Sequence, residues 1–208
     1  MNIIEALNWR YAVRQFSSAR LDEKRVQQLL TATRLSATSY GLQPYRIISV
    51  NDPGVRKKLL DYSMGQDKVV NCSHLLVIAA QTEIDDQMID EYMQAVADTR
   101  DMPVKNLQGI THHIKEVFAG KSQTEKQQWA HQQAYIALGT LLTSAAMMEI
   151  DTCPMGGFDA DGFNRVLELD QLGLEAVVIC ALGERHPDDA SAQLPKVRYD
   201  YDKMIIAV

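Results

Sequence analysis

The sequence predicts a single domain of mixed helices and strands organised around one long, largely buried helix. Three observations lead there. Ser122-Gln123-Thr124-Glu125 is a capping box, in which the Ser oxygen accepts a first-turn amide and the Glu reaches back to the cap. It opens a stretch to Ile150 whose second part, Ala134 to Met148, is apolar or small on nearly every side, so burial on most faces is expected. Two apolar runs of strand length, Leu75–Ala80 and Glu175–Gly183, stand among helix-patterned segments and read as buried strands. Finally, 208 residues fit one domain of ordinary size with a core large enough to need no staples. The small residues of the long helix allow close approach by another backbone. It reads either as the core helix of a monomer or as one that also packs against its own copy.

The elements follow in order. Residues 2–9 form a short helix with Ile3, Ile4 and Leu7 on one face. Asp22 caps a helix to about Leu35, with Val26, Leu29, Leu30 and Thr33 at helical spacing. Residues 36–45 are a loop of small hydroxyl residues and a glycine, and residues 46–50 a strand. Asp52-Pro53-Gly54 opens another helix, because proline suits a first turn. Gly65 to Lys68 is a polar break. Residues 83–99 read as a helix with Ile84, Met88, Tyr92 and Val96 inward. Residues 100–121, broken by Pro103, Gly109, His112-His113 and Gly120, read as a mobile, partly helical excursion placed to cover a pocket. Residues 151–159 read as a loop whose Pro154 and Gly156-Gly157 expose backbone amides. Asp159 caps a helix to about Leu169. The apolar tail, Met204 to Val208, is a final strand that needs a sheet edge to join.

Composition narrows the function. A net charge of -6 leaves no basic excess to neutralise phosphates along a nucleic acid. The run in the long helix is too short and too rich in hydroxyls to span a membrane. Cys72, Cys153 and Cys180 are widely spaced and form no metal or disulfide pattern, so each reads as a small buried apolar residue. Two adjacent histidines point to different faces of a helix and make a poor metal pair. No metal is expected, and the compartment reads as reducing and cytoplasmic. Arg10 and Arg14 have the donor forks that match phosphate geometry, although such a pair is more often a solvated face.

Together these residues resemble the nitroreductase family of FMN-dependent oxidoreductases, over nearly the whole chain. The resemblance rests on Arg10 to Arg14, Leu35–Ser39 with Gln43-Pro44-Tyr45, and Cys72-Ser73-His74-Leu75-Leu76-Val77. Trp129 with Gln133-Ala134-Tyr135 and Leu138-Gly139, Pro154 to Asp159, and Leu194-Pro195-Lys196-Val197-Arg198 complete it. Each motif is weak alone, and their order and spacing together are specific. The resemblance implies an α+β fold over residues 1–208: a mostly antiparallel sheet flanked by helices, in an intertwined homodimer with FMN at the interface. In that arrangement the long helix pairs with its mate and the terminal strand joins the partner's sheet.

Carried over by position, the resemblance puts Arg10, Lys196 and Arg198 at the FMN phosphate, and Arg14 at the pyrimidine edge of the ring. Tyr11 and Ala12 line the same segment. Ala37, Thr38, Ser39 and Gly41 come from the other subunit. Gln133 and Lys68 approach the ring or ribityl chain, and Gly65 is counted among the cofactor-binding residues. Pro154, Met155, Gly156 and Gly157 line the ring, with the Gly156 amide near N5. The sequence departs from common members at Ala12, where serine is frequent, at Gly41 and Gly65, often asparagine, and at Gly156, acidic in well-known relatives. The implied activity is NADH- or NADPH-dependent reduction of quinones, nitroaromatics or similar electron-poor acceptors, in two hydride transfers. No side chain serves as nucleophile, because the cofactor carries the chemistry. Alternatives are a flavin or pteridine reductase, or a non-catalytic flavin-binding redox sensor.

Overall fold

A computed structural model describes residues 1–208. The elements are α1 (Ile3–Trp9), α2 (Glu23–Arg34), β1 (Tyr45–Val50), α3 (Pro53–Leu60), α4 (Lys68–Asn71), β2 (His74–Gln81), α5 (Asp86–Thr99) and α6 (Gln108–Ala119). They continue with α7 (Gln123–Met147), β3 (Asp151–Met155), α8 (Ala160–Leu167), β4 (Leu174–Gly183) and α9 (Tyr201–Met204). The sheet has the order β1-β2-β4-β3, and every pairing is antiparallel, as the expected α+β class requires. No helix is long and apolar enough to cross a membrane.

The predicted caps are all formed. Asp22, Asp52, Ser122 and Asp159 each accept a first-turn amide, and Ser122 and Glu125 close the capping box. Both faces of the sheet are covered, which is why β2 reads as a continuous apolar run. Leu76, Ile78, Val178, Cys180 and Leu182 face α2 and α7. The alternate residues Leu75, Val77, Ile179 and Ala181 pack with Leu59 and Phe163 on the other side. All three cysteines are free and buried.

Five expectations need correction. Residues 151–155 are an edge strand rather than loop. Pro154 sits there because a sheet edge does not need the amide that proline lacks. Residues 100–121, expected to be only partly helical, are helical over most of their length. A 3₁₀ turn over Val104–Leu107 leads into the twelve-residue helix α6, with Ile114 and Phe118 buried beneath it. Gly109 lies in the first turn, where the missing side chain costs little. The inward stripe of α5 is Ile89, Met93 and Ala97, one residue round from the expected one. On α7 the burial is one-sided: Ala134, Ala137, Leu141 and Ala145 are buried, whereas Tyr135, Ile136 and Met147 are exposed. The tail forms no strand in the single chain; it is the short helix α9 followed by an exposed apolar end.

Candidate functional site

The N-terminal segment leaves α1 at Arg10, whose N–H still caps the helix on Ala6 O. It then runs extended along the free edge of β3. Ala12 bridges Thr152 in parallel, and the Val13 N–H donates to Thr152 O at 3.1 Å. The Arg14 and Gln15 N–H groups then turn to the Asp189 carboxylate, so the pairing with β3 ends at Val13. Phe16 bridges Arg185, which fixes the far end of the segment. Arg185 itself pairs with Asp151 and stacks over the rings of Trp9 and Tyr11 at 4.2 and 4.7 Å.

The chain returns to this place near its end. A 3₁₀ turn over Ala190–Gln193 directs Leu194-Pro195-Lys196 back against α1. The Lys196 ammonium donates to the carbonyls of Leu7 and Arg10, at the negative end of the α1 dipole. A cavity of about 420 Å³ opens between the two segments, lined by Arg10, Tyr11, Ala12, Arg14, Lys196 and Arg198 among others. A second cavity, of about 240 Å³, adjoins it through Arg14 and includes Lys68 and Asn71. Lys68 is buried, with no carboxylate paired to it.

Charge is unbalanced here. Burial depresses the Arg10 guanidinium below its ordinary range, and Arg198 depresses it further. Lys196 is lowered by burial and by Arg10 and Arg198 together. Arg10 Nε is buried without a hydrogen-bond partner. A buried unpartnered donor among mutually repelling cations calls for an anion.

The Gly156-Gly157 turn follows β3 directly. Its two amides make no hydrogen bond within the chain and lie on the surface. Gln66 Nε2 donates to Gly157 O at 2.8 Å, and the Asp159 N–H donates to Tyr62 O, so the turn is tied to the loop containing Gly65. Gly65 has φ +72° and Gly41 has φ +78°. Glycine adopts that left-handed region without strain, and asparagine is among the few other residues enriched there. At Gly41 a second constraint applies, since a Cβ there would lie 1.9 Å from the Tyr92 hydroxyl.

The other predicted residues gather elsewhere. Ala37, Thr38, Ser39 and Gly41 form the loop after α2, away from both cationic cavities. Gln133 accepts the Ser39 N–H at 2.8 Å and belongs to this loop. Tyr40, at φ +56°, lies edge-on to His113 and Phe118 of α6. In one chain, therefore, the predicted residues form two groups. Sequence reasoning missed Asp189, Tyr92 and the Asp151–Arg185 pair. A lone carboxylate before a 3₁₀ turn reads only as a cap.

A phosphate dianion fits the first group by charge and by the unpartnered Arg10 donor, and the free glycine amides suit close approach by a flat ring. Comparison with known proteins gives the family. The sequence model of the nitroreductase family matches residues 7–184. YfkO of Bacillus subtilis (strain 168), provisionally designated an NAD(P)H nitroreductase, is 30% identical over 198 residues, covering 89% of this chain and 90% of its own. A solved structure of ydfN from Bacillus subtilis, provisionally a nitroreductase, superposes with a TM-score of 0.87 at 21% identity, covering 99% of this chain and 98% of that one. One from Exiguobacterium sibiricum, solved in complex with FMN, also gives 0.87 at 16% identity, over 100% and 98% of the two chains. With its family-wide match and its antiparallel sheet edged by a cationic cavity, the chain belongs to the nitroreductase family.

Proposed function

We propose that the chain is an FMN-dependent oxidoreductase that draws on NADH or NADPH and reduces a small electron-poor acceptor such as a quinone or nitroaromatic. The observation that carries this reading is the cluster of Arg10, Lys196 and Arg198 around a cavity with no carboxylate to balance it. FMN, when bound, supplies the hydride chemistry. Arg10, Lys196 and Arg198 hold its phosphate by charge-assisted bonds. Arg14 stands at the pyrimidine edge, where a fixed cation stabilises negative charge on the ring. Lys68 adds a second cation nearby. Gly156 and Gly157 present free main-chain donors along the ring.

The working unit is a homodimer. Ile3, Ile4 and Leu7 on α1, Tyr135, Ile136 and Met147 on α7, and Ile205, Ile206 and Val208 in the tail expose an apolar surface that a monomer has no use for. A second copy brings its 37–41 loop and Gln133 to the open side of the cationic cavity, which unites the two groups of residues. Helix α6 then lies close enough to shape the acceptor pocket.

Purified protein should be yellow and should oxidise NADH or NADPH when a quinone is added. Light scattering should report a dimer, and deletion of Met204 to Val208 should weaken dimerisation and flavin retention together. A colourless protein that takes up no FMN overturns the cofactor assignment. A full-length monomer that still holds FMN overturns the dimer.

A further inference from the structure

We propose that Asp189 is the positioning residue of this site, fixing the two cation-bearing arms against each other so that the phosphate-bearing flavin is preferred to its dephosphorylated form. The inference rests on the assignment of FMN above.

Asp189 is 3% exposed, and four donors converge on it. Its Oδ2 accepts the N–H of Arg14 at 2.8 Å, the N–H of Gln15 at 3.2 Å and the Tyr11 hydroxyl at 3.1 Å. Its Oδ1 accepts the Ser191 N–H at 3.0 Å. The partners come from opposite ends of the chain. Residues 10–15 carry Arg10 and Arg14, and the turn at Ser191 leads to Lys196 and Arg198. One carboxylate therefore joins the segments bearing four of the cations at the site.

The way it binds them matters. No Lys or Arg head group lies within ion-pair distance of Asp189, because it takes main-chain amides and a phenol instead. Burial depresses Arg10 and Lys196 most, and the neighbouring cations depress both further, so the heads repel one another. Without a brace, the arms would spread until the repulsion eased. Asp189 holds the backbone in place, beside the bonds that Lys196 makes to the Leu7 and Arg10 carbonyls, and none of the cationic heads is spent on its carboxylate. The other nearby carboxylate, Asp151, is already taken by Arg185. Every partner of Asp189 is a donor. Asparagine would therefore set an NH₂ against at least one N–H, and part of the brace would open.

The test is the preference for FMN over riboflavin, measured by titrating the full-length flavin-free chain with each. Loss of global stability alone weakens both flavins alike, whereas loosening of the phosphate arm weakens FMN more. Asp189→Asn should cut the preference at least about tenfold, the scale of one charge-assisted bond. Tyr11→Phe removes a single donor and leaves the backbone untouched, and should cut it by roughly threefold. If Asp189→Asn fails to fold, Tyr11→Phe decides alone. An unchanged preference in folded variants, with tight FMN binding by the unaltered chain, overturns the role of Asp189 and leaves the FMN assignment standing. An unaltered chain that binds neither flavin overturns both.

Discussion

The side-chain oxygen of Gln133 accepts the main-chain N–H of Ser39 at 2.8 Å, tying the middle of α7 to the loop that follows α2. Gln133 is buried, and its Nε2 turns back to Trp129 O within the helix. The loop is therefore anchored to the longest helix of the chain.

Replacing Gln133 by Ala leaves the Ser39 N–H without its partner. A donor lost in this way costs about 1–3 kcal/mol. Urea unfolding should show that loss, and flavin release should be faster, because in the proposed dimer the loop completes the site of a second copy. Wild-type stability together with wild-type release would remove Gln133 from the site.

Much of the fold was legible because it is written in local signals. Caps at Asp22, Asp52, Ser122 and Asp159 depend on a side chain and an amide two or three residues away. The central strands carry unbroken apolar runs, Leu75–Ala80 in β2 and Ala176–Leu182 in β4, and no surface helix has that pattern. What was missed depends on distant partners. Pro154 reads as a breaker until Ala12 and β4 show that it lies on an edge. The inward stripe of α5 is set by where α6 packs, which its own periodicity does not record. The cations of the site were legible because the ordered motifs carry them. Asp189 was not, since its four donors lie up to 178 residues away in sequence. Nor was the association of Gln133 with Ser39, which joins residues 94 apart.

Gly41 and Gly65 separate two reasons for a glycine. Both have positive φ, so alanine is strained at each by about 1 kcal/mol. At Gly65 the added methyl meets nothing within 4 Å, whereas at Gly41 it meets the Tyr92 ring. Gly41→Ala should therefore lower the thermal midpoint clearly more than Gly65→Ala. Adding Tyr92→Ala to Gly41→Ala should give less than the sum of the two single losses. Strict additivity would show that Tyr92 does not constrain the loop.

The phosphate arm predicts a difference between flavins. Arg198→Ala should weaken FMN by roughly tenfold or more and riboflavin little. Lys196→Ala should do the same and also destabilise the fold, since Lys196 caps the carbonyl end of α1. Titration of each variant with both flavins, beside thermal melts, checks the pair. Equal losses for FMN and riboflavin would place the phosphate elsewhere.

Acid stability should report on Asp189. Burial pushes its carboxyl upward, but the hydrogen bonds from Arg14, Gln15, Ser191 and Tyr11 outweigh burial and hold it below the usual aspartate range. A group with a lowered folded value stabilises the protein above its unfolded value, about 3.9, and loses that contribution as pH falls through the folded one. Urea midpoints measured from pH 6 down to about pH 3 should fall more steeply for the unaltered chain than for Asp189→Asn. Parallel curves would mean that the carboxylate contributes nothing when charged.

Gly156 tests the chemistry most directly. The family resemblance sets its amide at the flavin N5, where hydride arrives, and here that amide is free of any partner in the chain. A Cβ on Gly156 would lie 3.7 Å from the Tyr135 hydroxyl, an ordinary contact, so the turn has room for a methyl group. Gly156→Ala keeps the N–H and should retain most of the rate of reduction by nicotinamide. Gly156→Pro removes the N–H, and should slow that reduction and shift the flavin potential. Met155, which precedes the proline, is already in an extended strand, the conformation that proline asks of its neighbour. The turn is therefore suited to accept the change, and the comparison bears on the amide more than on the backbone. Both variants must be dimeric and loaded with FMN before stopped-flow reduction and potentiometry are compared. If the proline variant is reduced as fast as the alanine variant, at the same potential, the Gly156 amide has no part in hydride transfer.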